Sequence, residues 1–126
     1  MKYVSLLGRI LFALIFVTAG FAHFSKAEIG YAESAGVPMA SIAVPLSGII
    51  AIIGGLSIAL GYKARLGAWL IVLFLVPVTV ALHAFWKVAD PQMMQMQEAQ
   101  FFKNVSMLGA ALLITQIGSG PASLKE

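Results

Sequence analysis

Long runs of apolar residues, almost free of charge, dominate the chain. Three of these runs contain a single charged residue between them, Arg9, and each has the roughly 20 residues that a helix needs to cross a bilayer. A fourth run, Val105 to Ile117, reaches a spanning length only when it is extended back to residue 101. The pattern therefore predicts four membrane spans, over residues 4–24, 39–61, 66–86 and 101–117.

The runs are apolar all round, which distinguishes them from the one-sided helices of soluble proteins. Backbone polar groups in lipid require a helix or a closed barrel, and the period-two alternation of barrel strands is absent from the sequence. The first run has the form of a signal peptide, with Lys2 at its start, and we expect it to be retained as a span. The predicted fold is an all-α membrane protein, a four-transmembrane-helix bundle in a single domain of residues 1–126.

Composition supports the membrane class and excludes several functions. Hydrophobic residues make up 60% of the chain and charged residues 10%, outside the usual range of soluble domains. The eight basic residues are spread thinly, so they form no patch for nucleic acid. The sequence contains no cysteine, which excludes disulfides, thiol nucleophiles and iron–sulfur ligation. The lipid bilayer is the partner that the composition predicts.

The distribution of Lys and Arg predicts the orientation, because basic residues near short loops remain in the cytoplasm. One side of the bundle has more basic residues than the other, and the second side carries four of the five acids. We therefore expect both termini and the 62–65 turn to be cytoplasmic. The basic residues on the predicted inner side are Lys2, Arg9, Lys63, Arg65 and Lys125, and those on the outer side are Lys26, Lys87 and Lys103.

Two connections carry local structure signals. Loop 25–38 has helical tendency over residues 28–35 and a break at Gly36-Val37-Pro38. Asp90-Pro91 has the form of an N-cap followed by a proline in the first helical position. A polar helix is therefore expected to begin at residue 91 and to continue into the fourth span, with its glutamines projecting above the membrane.

Small side chains recur every four residues on the second predicted span and form one stripe on its surface. Such a stripe lets another helix backbone approach closely. We expect a packing seam here, inside the bundle in preference to between copies in a homo-oligomer. The stripe consists of Ser47, Ala51, Gly55 and Ala59.

Ionisable groups at membrane depth are expensive, so each one raises a functional hypothesis. Arg9 lies near the inner end of the first span, where its stem can reach the cytoplasmic head groups. The alternative role is an inward-facing anchor for an anionic ligand. His23 lies 14 residues later on approximately the same helical face.

Polar and aromatic residues from three spans meet at the outer level of the bundle. They suit hydrogen bonding to a quinone-like head group, with histidine and amide as donors and tryptophan as a ring wall. The alternative is that no ligand binds here: Trp86 belongs to the aromatic belt at the membrane interface, and the polar residues at the span ends are solvated. A haem between the two histidines has no further support, and a metal site lacks ligands. The candidate residues are His23, His83, Trp86, Lys103 and Asn104.

Several short motifs, in this order, resemble the DoxX family, particularly its YqjF-like proteobacterial branch. They are Leu7-Gly8-Arg9-Ile10-Leu11 through Ala19-Gly20-Phe21, Gly36-Val37-Pro38, Gly54-Gly55-Leu56, Leu60-Gly61-Tyr62-Lys63-Ala64-Arg65, His83-Ala84-Phe85-Trp86, Phe102-Lys103-Asn104 and Gly118-Ser119-Gly120-Pro121. The resemblance implies a four-helix bundle of the bacterial inner membrane and an accessory or quinone-associated subunit of a redox or stress-response assembly. Ala51 stands where the family often has an acid before the paired glycines.

No catalytic set is present in the sequence: it has no P-loop, no serine–histidine–acid order and no intramembrane carboxylate pair. We therefore expect no catalytic activity from the chain alone, with a redox enzyme subunit as its partner. Two alternatives remain open. One is a small-molecule carrier, which needs a polar path across the bundle. The other is a structural membrane anchor that binds no ligand.

Overall fold

The structure is a computed structural model that describes residues 2–83, 85–118, 120–121 and 123–124. Five α-helices and one short 3₁₀ turn form its described part. They are α1 (Lys2–Ala22), α2 (Lys26–Ser34), α3 (Ala40–Leu60), α4 (Ala64–Leu82), the turn η1 (Phe85–Lys87) and α5 (Pro91–Ile117).

Helices α1, α3 and α4 are long and apolar enough to cross a membrane. They correspond to the first three predicted spans. Helix α4, which corresponds to the third predicted span, ends at Leu82, because His83 leaves helical geometry with φ −120°. The predicted boundary was Trp86, four residues later. The fourth predicted span is the second half of α5, which does not qualify as a span by the same criteria.

Both predicted loop signals are confirmed. Ser25 is the N-cap of helix α2: its hydroxyl oxygen accepts the backbone N–H of Glu28 at 3.1 Å. It ends before Gly36, where a φ of +89° suits a residue without a Cβ. Asp90 is the N-cap of helix α5: its carboxylate accepts the N–H of Gln92 at 3.2 Å. The helix then continues unbroken for 27 residues. The polar helix therefore runs directly into the apolar one.

The long helices pack in series: α1 lies against α3, α3 against α4, and α4 against α5. The main core fills the centre of this series, with Phe16, Ile58, Ile71 and Leu75 as its largest fully buried side chains. Helices α1 and α5 stand at the two ends of the series and do not pack closely along their described lengths. This leaves a cleft between them, with α4 as its back wall.

Glycines set the shortest distances between helices. A Cβ on Gly48 of α3 would lie 2.5 Å from the carbonyl oxygen of Gly20 in α1. A Cβ on Gly54 would lie 2.9 Å from the carbonyl oxygen of Gly67 in α4. Real Cβ atoms essentially never come within 3.0 Å of another heavy atom, so neither site has room for a side chain. Helix α3 is thus held tightly on two sides.

The predicted small-residue stripe lies close to these contacts. Gly55 faces α1, since a Cβ there would meet Val17 at 3.1 Å. Ser47 bonds a residue of the segment after α1, Ala51 is fully buried in the core, and Ala59 is half-buried. Gly48, adjacent to the stripe, meets the backbone of α1 at Gly20.

One end of the bundle holds the beginning of α1, the α3–α4 turn and the end of α5; we call it the terminal end. Arg65 donates to the backbone carbonyls of Gln116 and of Ile117, the latter at 3.2 Å, and so caps the last turn of α5. The chain then folds back, and the N–H of Leu124 donates to the carbonyl of Leu60 at 3.1 Å. Lys125, counted in the predicted charge bias, lies outside the described residues.

Candidate ligand-binding cavity

A cavity of about 220 Å³ lies at the opposite, loop end of the bundle, in the cleft between α1 and α5. Its deeper wall is apolar and includes Phe16, Phe74, Leu75 and Met107. Its polar wall contains seven residues from four segments of the chain. These are His23, Glu28, Tyr31, His83, Gln100, Lys103 and Asn104.

Asn104 is the most informative of these residues. It lies on α5 with 6% of its surface exposed, and it lines the cavity. Within the described residues its side chain makes no hydrogen bond, although the amide offers two N–H donors and a carbonyl acceptor. The amide is therefore available to a polar group that enters the cavity.

His23 is also 6% exposed, and its hydrogen bonding determines which ring nitrogen carries the proton. Its Nδ1 lies 3.0 Å from the Ser47 hydroxyl oxygen, and that hydroxyl lies 2.7 Å from the carbonyl oxygen of Val44. The single Ser47 proton is donated to Val44, so Ser47 accepts from Nδ1–H of His23. In the neutral ring Nε2 is then an acceptor, and no described residue bonds it. The ring of Phe74, 5.4 Å away, holds the imidazole in place.

A chain of hydrogen bonds crosses the loop end of the bundle. Nδ1 of His83 donates to Oε1 of Gln97 at 2.8 Å, because an amide oxygen can only accept. Nε2 of Gln97 donates to the Tyr31 hydroxyl at 2.9 Å. The Tyr31 hydroxyl donates in turn to the carbonyl of Leu82 at 2.9 Å. Tyr31 thus ties α2 to both α4 and α5 beside the cavity.

Replacing Tyr31 with phenylalanine is expected to loosen α2. The change removes two hydrogen bonds at a half-exposed site, together worth about 1 kcal/mol. Hydrogen exchange of the α2 amides should accelerate about fivefold. Tyr62→Phe is the matched control, because Tyr62 has a similar exposure and no described hydrogen bond through its hydroxyl. Unchanged exchange in Tyr31→Phe would show that α2 is held by packing alone.

Four of the six predicted ligand residues line this same cavity: His23, His83, Lys103 and Asn104. Trp86 does not join them. It lies in η1, 54% exposed, and stacks edge-on against Phe85 and Phe101 at 5.3 and 5.5 Å.

Arg9 lies at the terminal end, away from the cavity. Its Nη1 donates to the carbonyl of Pro121 at 2.9 Å, and the residue is 94% buried, since 6% of its surface is exposed. Its guanidinium therefore binds the folded-back chain at Pro121.

Sequence reasoning missed the contributions of Glu28, Tyr31 and Gln97. Nothing in the sequence indicates that α2 folds over the end of the bundle and brings Glu28 and Tyr31 to the cavity. Gln97, Gln100 and Asn104, in contrast, follow a spacing of three and four residues and share one face of α5. Of the glutamines expected to project above the membrane, Gln97 bonds His83 and the exposed Gln100 lines the cavity.

Two opposite charges complete the polar wall. Glu28 and Lys103 both line the cavity, and among the described residues neither forms an ion pair. The described part of the chain contains no group of three or more His, Asp and Glu side chains that could hold a metal ion. The arrangement can recognise a polar group by hydrogen bonds and charge, and can hold an apolar group against the deeper wall.

The family relationship is decided by a match over the whole chain: the model of the SURF4 family covers residues 1–126. The chain belongs to the SURF4 family. The DoxX resemblance inferred from short motifs is therefore wrong, because the family model that matches over the whole chain is that of SURF4.

The relatives agree with this placement. The inner membrane protein YphA of Escherichia coli is 30% identical over 125 residues, which cover 94% of this chain and 86% of YphA. The Surfeit locus protein 4 homolog of Drosophila melanogaster is 26% identical over 126 residues, 99% of this chain and 41% of that protein. The ER-derived vesicles protein ERV29 of Saccharomyces cerevisiae is 28% identical over 78 residues, 62% of this chain and 25% of that protein. No solved structure matches the chain at a comparable level.

This SURF4-family chain is a multi-pass membrane protein, as its apolar helices and its inner-membrane relative agree. It spans less than half the length of its yeast and fly relatives. The family assignment removes the support that the DoxX resemblance gave to a redox role.

Proposed function

We propose that the protein binds a small amphiphilic molecule in the cavity between α1, α4 and α5, within the inner membrane. In this proposal the second half of α5 is the fourth span, and both termini face the cytoplasm. The loop end, with the cavity, then faces the outer surface.

Asn104 is the observation that carries the proposal. Its side chain is 94% buried, faces the cavity and has no described hydrogen bond within the chain, so its donors and acceptor are available to a partner that is not part of the chain. His23 supports the same conclusion. Its hydrogen bond to Ser47 uses Nδ1 and leaves Nε2 as an acceptor, and His23 lines the same cavity.

The size and setting of the cavity support an amphiphile. A volume of about 220 Å³ is smaller than the roughly 300–1,000 Å³ of sites that enclose a drug-sized ligand. It accommodates a head group, while an attached chain would lie in the lipid beside Ile15 and Ala22, the exposed residues of α1 that line the cavity. The apolar core below the cavity, which includes Phe16 and Leu75, favours binding over passage to the other side.

A quinone-associated subunit is the second candidate. The Asn104 amide can donate to a ring carbonyl, and Phe74 lies on the same cavity wall. His23 changes the expected chemistry, because an acceptor at Nε2 suits the hydroxyl of a quinol and not the carbonyl of a quinone.

Extraction of the purified protein, followed by mass spectrometry and absorption spectroscopy, tests the proposal. We expect one amphiphile in near-stoichiometric amount in the wild type and in the control Thr115→Val, and its loss in Asn104→Leu. Thr115 is equally buried but bonds the carbonyl of Leu112 at 2.6 Å, away from the cavity. A quinone or quinol spectrum would select the second candidate. Bulk phospholipid alone in all three samples would contradict both and favour a structural anchor.

A further inference from the structure

The two charges on the cavity wall are the basis of a more specific inference, which rests on the proposed function. Glu28 comes from the first turn of α2, and Lys103 comes from α5. They line one cavity from different segments, yet in the described structure they form no salt bridge with each other or with another residue. Glu28 is half-buried and Lys103 is exposed at the rim, so a polar group in the cavity can reach one charge of each sign.

Local structure explains only part of these positions. An acid in the first turn of a helix is favoured by the helix dipole, and Glu28 does stand there. Its backbone N–H bonds Ser25, but its carboxylate has no described hydrogen bond. Lys103 is an exposed residue that lines the same cavity as Asn104.

We propose that the cavity selects a zwitterionic group, with an ammonium for Glu28 and an anionic oxygen for Lys103. A purely anionic ligand would be repelled by Glu28, and a purely cationic one by Lys103. The Asn104 amide and Nε2 of His23 then bond the polar atoms between the two charges. The same chemistry is found in the phosphoethanolamine head group of a phospholipid and in free small zwitterions such as phosphoethanolamine itself.

Native mass spectrometry of the full chain with defined lipids tests this selectivity. We expect phosphatidylethanolamine to bind the wild type about tenfold more tightly than the anionic phosphatidylglycerol, the effect of one charge-assisted hydrogen bond. Glu28→Gln should abolish that preference. Lys103→Gln should weaken both lipids about tenfold and leave uncharged diacylglycerol unchanged. Glu98→Gln and Lys26→Gln, which change exposed charges outside the cavity, should behave as the wild type.

A competition arm identifies the source of the zwitterion. Displacement of the lipid by millimolar phosphoethanolamine would assign the site to a free small zwitterion, and retention of the lipid would assign it to the phospholipid. Equal binding of both phospholipids by the wild type, or a preference that survives in Glu28→Gln, would overturn the inference while the cavity remains a ligand site. If no lipid binds better to the wild type than to Asn104→Leu and phosphoethanolamine binds neither protein, the proposed function fails as well.

Discussion

Replacing Gly48 with alanine is expected to destabilise the bundle by about 2 kcal/mol. The new Cβ would lie 2.5 Å from the carbonyl oxygen of Gly20 and 2.9 Å from the Cβ of His23, so α1 and α3 must separate. Backbone on the opposing helix cannot rotate away as a flexible side chain can. The separation also shifts His23 and Ser47, so ligand binding should fall together with stability. Unfolding of the purified protein by heat or denaturant measures the first effect.

Gly109→Ala is the matched control. Gly109 lies in α5 with open space around its Cα, and alanine there should stabilise the helix by up to about 1 kcal/mol through its higher helix propensity. The two substitutions make the same chemical change and should have opposite signs. Gly20→Ala should also be costly, since its Cβ would lie 2.6 Å from the carbonyl oxygen of Gly48 and 2.5 Å from Cγ1 of Ile52, and the two costs should be less than additive because both changes act on the α1–α3 contact. Equal effects of Gly48→Ala and Gly109→Ala would mean that α1 and α3 do not approach as described.

Replacing Asn104 with leucine is expected to change the stability of the ligand-free protein by less than about 1 kcal/mol, because no described hydrogen bond is lost. Leucine has a similar shape, introduces no polar atom and removes a buried amide that has no described partner. The same substitution should abolish ligand binding. The protein would thus keep its stability and lose ligand binding, as expected where a polar side chain serves binding and not folding.

Thr115→Val provides the comparison for the second prediction. The Thr115 hydroxyl donates to the carbonyl of Leu112 in the wild type. Loss of that bond in the valine variant should destabilise the protein by about 1 kcal/mol. Denaturant unfolding after removal of bound lipid separates the intrinsic effect from stabilisation by ligand. Destabilisation of Asn104→Leu by more than 1 kcal/mol would show that the amide has a structural partner.

The sequence predicted the elements of this protein better than their arrangement. Charge-free runs located α1, α3 and α4, and the Asp90-Pro91 pair located the start of α5, because these signals depend only on neighbouring residues. The position of α2 over the cavity depends on Tyr31 bonding Leu82 and Gln97, more than 50 residues away. Contacts at that separation leave no periodic signal in a single sequence.

The candidate site shows the same division. His23, His83, Lys103 and Asn104 could be grouped because each stands near the same end of a predicted span. Trp86 could not be excluded, since the end of α4 at Leu82 turns it out of the cleft. The role of His23 as an acceptor depends on the direction of the Ser47 hydroxyl, which only the three-dimensional arrangement reveals.

Photo-crosslinking in native membranes tests most directly whether the cavity holds a specific ligand. A photoreactive residue at Met107, on the cavity wall, should capture one discrete amphiphile, while the same residue at Leu113, exposed on α5, should capture the bulk lipid mixture. Asn104→Leu should remove the discrete product at Met107 and leave the Leu113 profile unchanged. Identical lipid profiles at the two positions would contradict a ligand-binding cavity.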